Sequence, residues 1–366
     1  MADHIAGSRV SKAVAAWLGT VGRPVVARAA PTWAGVMIVA GVILGGNGLS
    51  PRDAVALASS SVRALAVLSA AWLLLTSAAV RVAFGAPGAS YLRTLPGGPG
   101  LERLTVVLAA AAVHAPWAAL WFVGGGVLHG VVAWAGMTVA SLALVAMAGR
   151  LVRAPSVPRW RGAIRAIAGV HVRSLTRRRM SSLVAGAGLA ALGGAFAALV
   201  IGHEAHQPGD AMVIAGAVAS IALAAAMAAA TTAVAVSDQQ LGWMAAASAT
   251  SPAARRAGTT IVLAALGVTA GMVATAAAAA VTPLGPRTFA AVAGTHALVG
   301  LGLGLGATEI GARAVRRERV DGARVVVGLL LVGVTGLLLI GEFHQLGVFV
   351  FVAMGAGAAA GVPRRR

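Results

Sequence analysis

Three ionisable residues stand inside long apolar runs: His114, His296 and Glu309. Placing such groups in hydrocarbon is costly, so each is a candidate for a substrate or proton path. Pro116, close to His114, can open a helix there. Hydrogen-bonded packing is the competing reading for both histidines. Glu309 and Arg313 are spaced for a local ion pair. A second group, His203, Glu204 and His206, with Glu342 and His344, has ligand chemistry suited to a divalent metal. Its two leading histidines are too close for the H-E-x-x-H hydrolase pattern, so a solvated loop with no metal is expected. The sequence has no cysteine, no glycine-nucleophile-glycine elbow and no G-x-x-x-x-G-K-[ST] phosphate loop. It therefore offers no catalytic residue and no resident cofactor, and is not expected to be an enzyme.

The elements that must position these residues follow from composition. Hydrophobic residues make up 59% and charged residues 11%, with a mean hydropathy of +0.88, whereas soluble domains carry roughly 25% charged residues. So few charges cannot form a water-facing surface. Several apolar runs approach the roughly 20 residues that cross a hydrocarbon core as a helix. The expected fold is all-α and polytopic, with about ten transmembrane helices. The spans are placed near 31–48, 62–80, 104–123, 130–149, 181–201, 211–236, 259–281, 288–310, 325–341 and 346–362.

The net charge of +19 is nearly all arginine, Lys12 being the only lysine. It is spread through short loops rather than gathered into one patch, which argues against nucleic acid. With both termini cytoplasmic, only Arg52, Arg63 and Arg287 of the 29 basic residues lie outside, a strong positive-inside bias. A bacterial inner membrane is expected, since the Ala, Gly, Val and Arg usage suggests a GC-rich bacterial genome.

The arginine-rich segment between Arg150 and Met180 repeats Trp160, Ile164, Ile167 and Val170 at helical spacing, and Val10, Val14, Trp17, Leu18 and Val21 do the same before the first span. Both read as interfacial amphipathic helices, apolar face in the bilayer and arginines at lipid phosphates. Thr94-Leu95-Pro96 and Asp53 recur, at nearly one offset, as Thr250-Ser251-Pro252 and Asp210. This repeated order divides the chain into 1–149, with an elbow helix and four spans, and 150–366, with a second elbow helix and six spans. The glycine runs, such as Gly300-x-Gly302-x-Gly304-x-Gly306, mark close helix packing or sliding faces.

Asp238-Gln239-Gln240-Leu241-Gly242-Trp243, followed by Thr250-Ser251-Pro252 and by Arg255-Arg256, resembles a cytoplasmic loop of bacterial ABC exporter permeases. The resemblance covers about 158–362, elbow helix first and then six spans. It implies that Asp238, Gln239, Trp243, Thr250, Pro252, Arg255 and Arg256 couple to a separate ATPase subunit. Tyr91, Arg93, Thr94, Pro96, Glu102 and Arg103 form a fainter version that lacks the preceding acidic residue. The implied partners are the lipid bilayer, a dimeric cytoplasmic ABC ATPase carrying ATP and Mg, and a second permease copy or paralogue. The implied function is export of an amphipathic or lipid-like molecule. Two alternatives stay open: a proton-coupled secondary transporter using His114, His296 or Glu309, and a non-transport membrane scaffold or assembly factor. Any cytoplasmic hairpin also needs Pro and Arg, so the loop motif has a purely structural reading as well.

Overall fold

The computed structural model describes residues 12, 15–16, 18–44, 50–85, 98–151, 162–205, 207–242, 250–316 and 319–360. A π-helical turn over Leu18–Gly22 leads into α1 (Arg23–Leu44), α2 (Pro51–Ser59), α3 (Val62–Phe84), α4 (Gly98–Val113), α5 (Ala115–Gly125) and α6 (Val127–Leu151). After these come α7 (Ala163–Arg178), α8 (Met180–Glu204), α9 (Pro208–Gln240), α10 (Pro252–Val281), α11 (Pro286–Ala314), α12 (Gly322–Phe343) and α13 (Gln345–Ala360). Two-residue strands, β1 (Val315–Arg316) and β2 (Arg319–Val320), pair antiparallel between α11 and α12. The chain is an all-α, multi-pass membrane protein.

Among the described residues, seven helices are long and apolar enough to cross a bilayer: α3, α6, α8, α9, α10, α11 and α12. An eighth span arises if α4 and α5, bent by 56° at their junction, are taken together. The expected span over 346–362 is α13, whose 16 residues rise only about 24 Å against a core of about 30 Å. The expected first span begins within α1, and 45–49 lie outside the described residues.

Contacts divide the chain into two compact units, Met1–Ser60 with Leu73–Val152, and Ser61–Trp72 with Arg153–Arg366. In the first, Val21, Val25 and Ala29 pack with Ala79, Val80 and Ala83 of α3, with Val106, Ala109, Ala110 and Val113 of α4, and with Val145 of α6. Val21 is thus a core residue rather than a lipid contact, while Val10, Val14 and Trp17 lie outside the described residues. The bend between α4 and α5 has a local cause. Pro116 has no amide hydrogen to continue the ladder, and two carbonyls near the break accept from tryptophan side chains. Trp33 Nε1 donates to Val113 O at 3.1 Å and Trp134 Nε1 to Ala111 O at 2.7 Å.

The second unit is built around α9, which packs against α8, α11 and α12. Its core holds Leu223, Met227, Leu263, Leu303, Leu329 and Ile340, all fully buried. The α10–α11 crossing is backbone to backbone. Cβ atoms built on Gly267, Gly271 or Gly304 would collide with the carbonyl oxygens of Gly300, His296 and Leu263 respectively. Gly302, on another side of α11, faces Phe351 of α13, so the alternating glycines serve two packing faces. This is the small-residue packing expected where helices lack a hydrophobic drive to associate in lipid.

Asp53 and Asp210 hold equivalent local positions. Each is the third residue of a helix opened by proline, and each closes a capping box, with Ser50 and Gln207 respectively. The helices they open differ in length: α9 runs unbroken for 33 residues, whereas α2 stops after nine and α3 begins beyond Ser60 and Ser61.

Candidate functional site

The motif that resembles a coupling loop is mostly helix. α9 continues to Gln240 and α10 starts at Pro252, so Asp238 and Gln239 ride on one helix end and Arg255 and Arg256 on the other. Ser251 caps α10, its hydroxyl accepting from the Ala254 amide at 3.2 Å, and Pro252 follows at a position where no amide is needed. Between Gly242 and Thr250 the chain, Trp243 included, lies outside the described residues.

The two helix ends are joined side to side. Arg255 Nε and Nη2 each donate to an Asp238 carboxylate oxygen at 2.8 Å, and Nη2 also reaches the Asp238 carbonyl. Both side chains are 29% exposed. Arg256 turns the other way. It donates to Glu309 Oε2 at 3.0 Å and to the carbonyls of Ala358 and Ala359, tying α10 to α11 and α13. Glu309 keeps its expected local partner as well, Arg313 Nε to Oε1 at 2.7 Å. Asp238, Arg255 and Arg256, read from sequence as contacts for a partner, thus hold one another or other parts of their own unit. Gln240 is exposed beside them and Gln239 half-buried.

His171 is the residue that sequence reasoning missed. It sits fully buried on α7, its Nδ1 at 3.0 Å from Ser237 Oγ on α9 and its Nε2 at 3.3 Å from Thr259 Oγ1 on α10. Thr259 Oγ1 also donates to the Arg255 carbonyl, so one tautomer satisfies every atom: Ser237 donates to Nδ1, and Nε2–H donates to Thr259. Ala168, His171 and Leu175 form the buried stripe of α7, and Ile167 lies against Gly258 of α10. The elbow helix therefore rests this face on α9 and α10 instead of in the bilayer. Ile164 is 39% exposed, and Trp160 lies outside the described residues.

Burial is the main influence on His171 and lowers its pKa; Asp238, with Oδ1 3.9 Å away, opposes this and Arg255 reinforces it. A base with a depressed folded pKa takes up protons in the unfolded chain first. The stability it confers is complete above about 6.5 and is lost as pH falls through that value toward the folded pKa. Melting of the detergent-solubilised protein should therefore shift down between pH 7.5 and 5.5, and the shift should shrink in His171→Asn. An unchanged pH dependence in that variant would remove His171 from this role.

The intramembrane histidines are placed by hydrogen bonds. His114, at the α4–α5 break, is fully buried with Nε2 2.9 Å from Ser141 Oγ. His296, also fully buried, has Nδ1 3.1 Å from Thr275 Oγ1, while its Nε2 has no partner among the described residues. Within the second unit, His296 and Glu309 share no hydrogen bond among the described residues. In the fainter first loop, Tyr91, Arg93, Thr94 and Pro96 lie outside the described residues. Glu102 is half-buried and Arg103 exposed on α4. His203 and Glu204 are exposed, 3.9 Å apart, and no group of three potential metal ligands occurs among the described residues. Comparison with models of known protein families, with curated proteins and with solved structures finds no match to this chain.

Proposed function

We propose that this chain is the membrane-spanning permease subunit of an ABC exporter, moving an amphipathic or lipid-like substrate with energy from a separate ATPase subunit. The observation that carries the reading is the joint at Asp238 and Arg255. Two helices of 33 and 30 residues are clamped together at the ends that flank a short connection, and the elbow helix is latched onto both by His171. A force applied to that connection would move both helices as one lever instead of being absorbed by a slack loop. On this reading Gln239, Gln240, Trp243 and Thr250 meet the ATPase, and Asp238, Arg255 and Arg256 stiffen the lever behind them. The ATPase is dimeric and carries ATP and Mg; a second permease copy or paralogue completes the pathway. The chain crosses a bacterial inner membrane about ten times with both termini inside, as the positive-inside bias supports.

Purification in mild detergent from native membranes tests the partner. Wild type should bring down a nucleotide-binding subunit with ATPase activity, and Trp243→Ala with Gln240→Arg should lose more than about tenfold of it, as expected for a central aromatic anchor. Absence of any nucleotide-binding subunit from the wild-type eluate overturns the exporter reading. Orientation is read separately. Because the sequence has no cysteine, single cysteines can be placed at the exposed Gln240 and Arg287. A membrane-impermeant maleimide added to intact cells should label the second and not the first; the reverse pattern inverts the topology.

A further inference from the structure

On α7 the arginines and the buried stripe occupy different sides. Arg173 and Arg177, four residues apart, share a face of the helix roughly opposite Ala168, His171 and Leu175. Arg177 is exposed and Arg173 half-buried. Nε of Arg173 is sealed from solvent without a bond, whereas its terminal amino groups stay accessible and have no partner among the described residues. Arg165 and Arg179 are exposed and equally unpaired there. Arg255, Arg256, Arg313 and Arg324 of the same unit, by contrast, each meet a carboxylate.

The chain has no nearby acid with which to answer these charges. No aspartate or glutamate lies between Glu102 and Glu204 in the sequence. The acids described at this end of the second unit are engaged already, Asp238 by Arg255, Glu309 by Arg256 and Arg313, and Asp321 by Arg324. A half-buried guanidinium without a counter-charge is costly, so the missing anion has to come from outside the chain. The level of α7 against the bilayer says which anion is in reach. Arg179 directly precedes α8, a helix of membrane-crossing length that starts at Met180. His171 holds α7 to Ser237 and Thr259, near the ends of two further such helices. The arginine face therefore stands at the boundary of the hydrocarbon, where phospholipid phosphates lie. Since the apolar stripe is covered by α9 and α10, charge rather than hydrophobic insertion is what can hold this helix to the membrane.

We propose that Arg173 and Arg177 form a binding site for the phosphate of an acidic phospholipid, which holds α7 to the leaflet while its buried stripe stays on α9 and α10. Two guanidiniums one turn apart can each direct paired N–H donors at phosphate oxygens. A zwitterionic lipid offers the same phosphate but carries its own ammonium, which cancels the attraction, so the site selects for net negative charge. It needs no ATPase, and its failure is separable from that of the exporter reading.

The test is native mass spectrometry of the detergent-purified full chain, titrated with phosphatidylglycerol and with phosphatidylcholine. Wild type should retain phosphatidylglycerol preferentially. Arg173→Gln with Arg177→Gln removes no side-chain bond among the described residues, so without lipid this variant should melt like wild type. It should bind phosphatidylglycerol about tenfold or more weakly, as the loss of two arginines at the membrane surface implies. Arg287→Gln with Arg319→Gln lowers the net charge equally at two exposed positions elsewhere and should bind the lipid as wild type does. Phosphatidylglycerol should also raise the melting temperature of wild type and of this control, but not of the α7 variant. Equal binding of the two lipids, or equal weakening in both variants, overturns the proposal and leaves only a diffuse basic surface. Binding untouched in the α7 variant overturns it as well, and loss of a co-purifying ATPase from that variant would then give the face to a protein partner.

Discussion

Gly267→Val is expected to be among the most damaging single substitutions in the second unit. The valine Cβ would overlap the Gly300 carbonyl oxygen, and the reciprocal overlap at Gly300 with the Gly267 carbonyl shows that the two backbones touch. A side chain in the way can change rotamer; a carbonyl in mid-helix cannot move without breaking its own hydrogen bond. Relief therefore requires α10 and α11 to separate. That would also loosen the neighbouring contacts of Gly271 with the His296 backbone and Gly304 with that of Leu263. Overpacking of this rigid kind costs about 3 kcal/mol, the upper end of the usual range. Gly294→Val is the matched control, because α11 has nothing within 4 Å of a Cβ built on that glycine. Its effect should stay within about 0.5 kcal/mol. Thermal melting in detergent, followed by size-exclusion profile, reads the difference; equal melting of the two variants would mean that the crossing is not close-packed.

Which parts of this architecture are legible in the sequence depends on how far each signal travels along the chain. An apolar run between basic loops reports its own span, which is why seven of the expected spans coincide with helices of membrane-crossing length. Helix ends are less legible. Asp238 and Arg255 look like loop residues because charged residues usually mark where a span has ended, whereas here each is neutralised by the other across 17 residues of sequence. That mutual neutralisation lets α9 and α10 extend past the apolar run, and no local pattern announces it. The start of α10 does carry a local signal, in Ser251 and Pro252, which mark a helix start as much as a turn.

His171 is hidden for a different reason. In a segment crowded with arginines a histidine reads as one more cation on a solvated face, and the stripe of Trp160, Ile164 and Ile167 draws the apolar side toward lipid. The buried stripe runs through Ala168, His171 and Leu175, displaced around the helix from that reading. Only the presence of Ser237 and Thr259 on two other helices makes the position polar enough for an imidazole. Such a requirement arises from tertiary packing, so the sequence pattern of α7 alone could not reveal it.

The second large effect is expected at the joint itself. Asp238→Ala leaves the Arg255 guanidinium beside a hydrophobic helix end with its two carboxylate bonds gone. With 29% of each side chain exposed, water compensates in part. The cost lies between that of an exposed pair and the roughly 3–5 kcal/mol of a buried one, at about 2 kcal/mol. Arg255→Ala should cost a similar amount, and the double variant less than the sum, because the second removal takes away a group already unpaired. A coupling energy of about 1 kcal/mol or more in that cycle distinguishes a working ion pair from two independent surface charges. The functional consequence separates further from the structural one. If the pair makes a lever of α9 and α10, Asp238→Ala should still retain the ATPase in a pull-down, since the docking residues of the connection are untouched, while substrate-stimulated hydrolysis falls. Loss of ATPase binding in Asp238→Ala, at a temperature where the variant is folded, would instead make Asp238 a direct contact and the lever unnecessary.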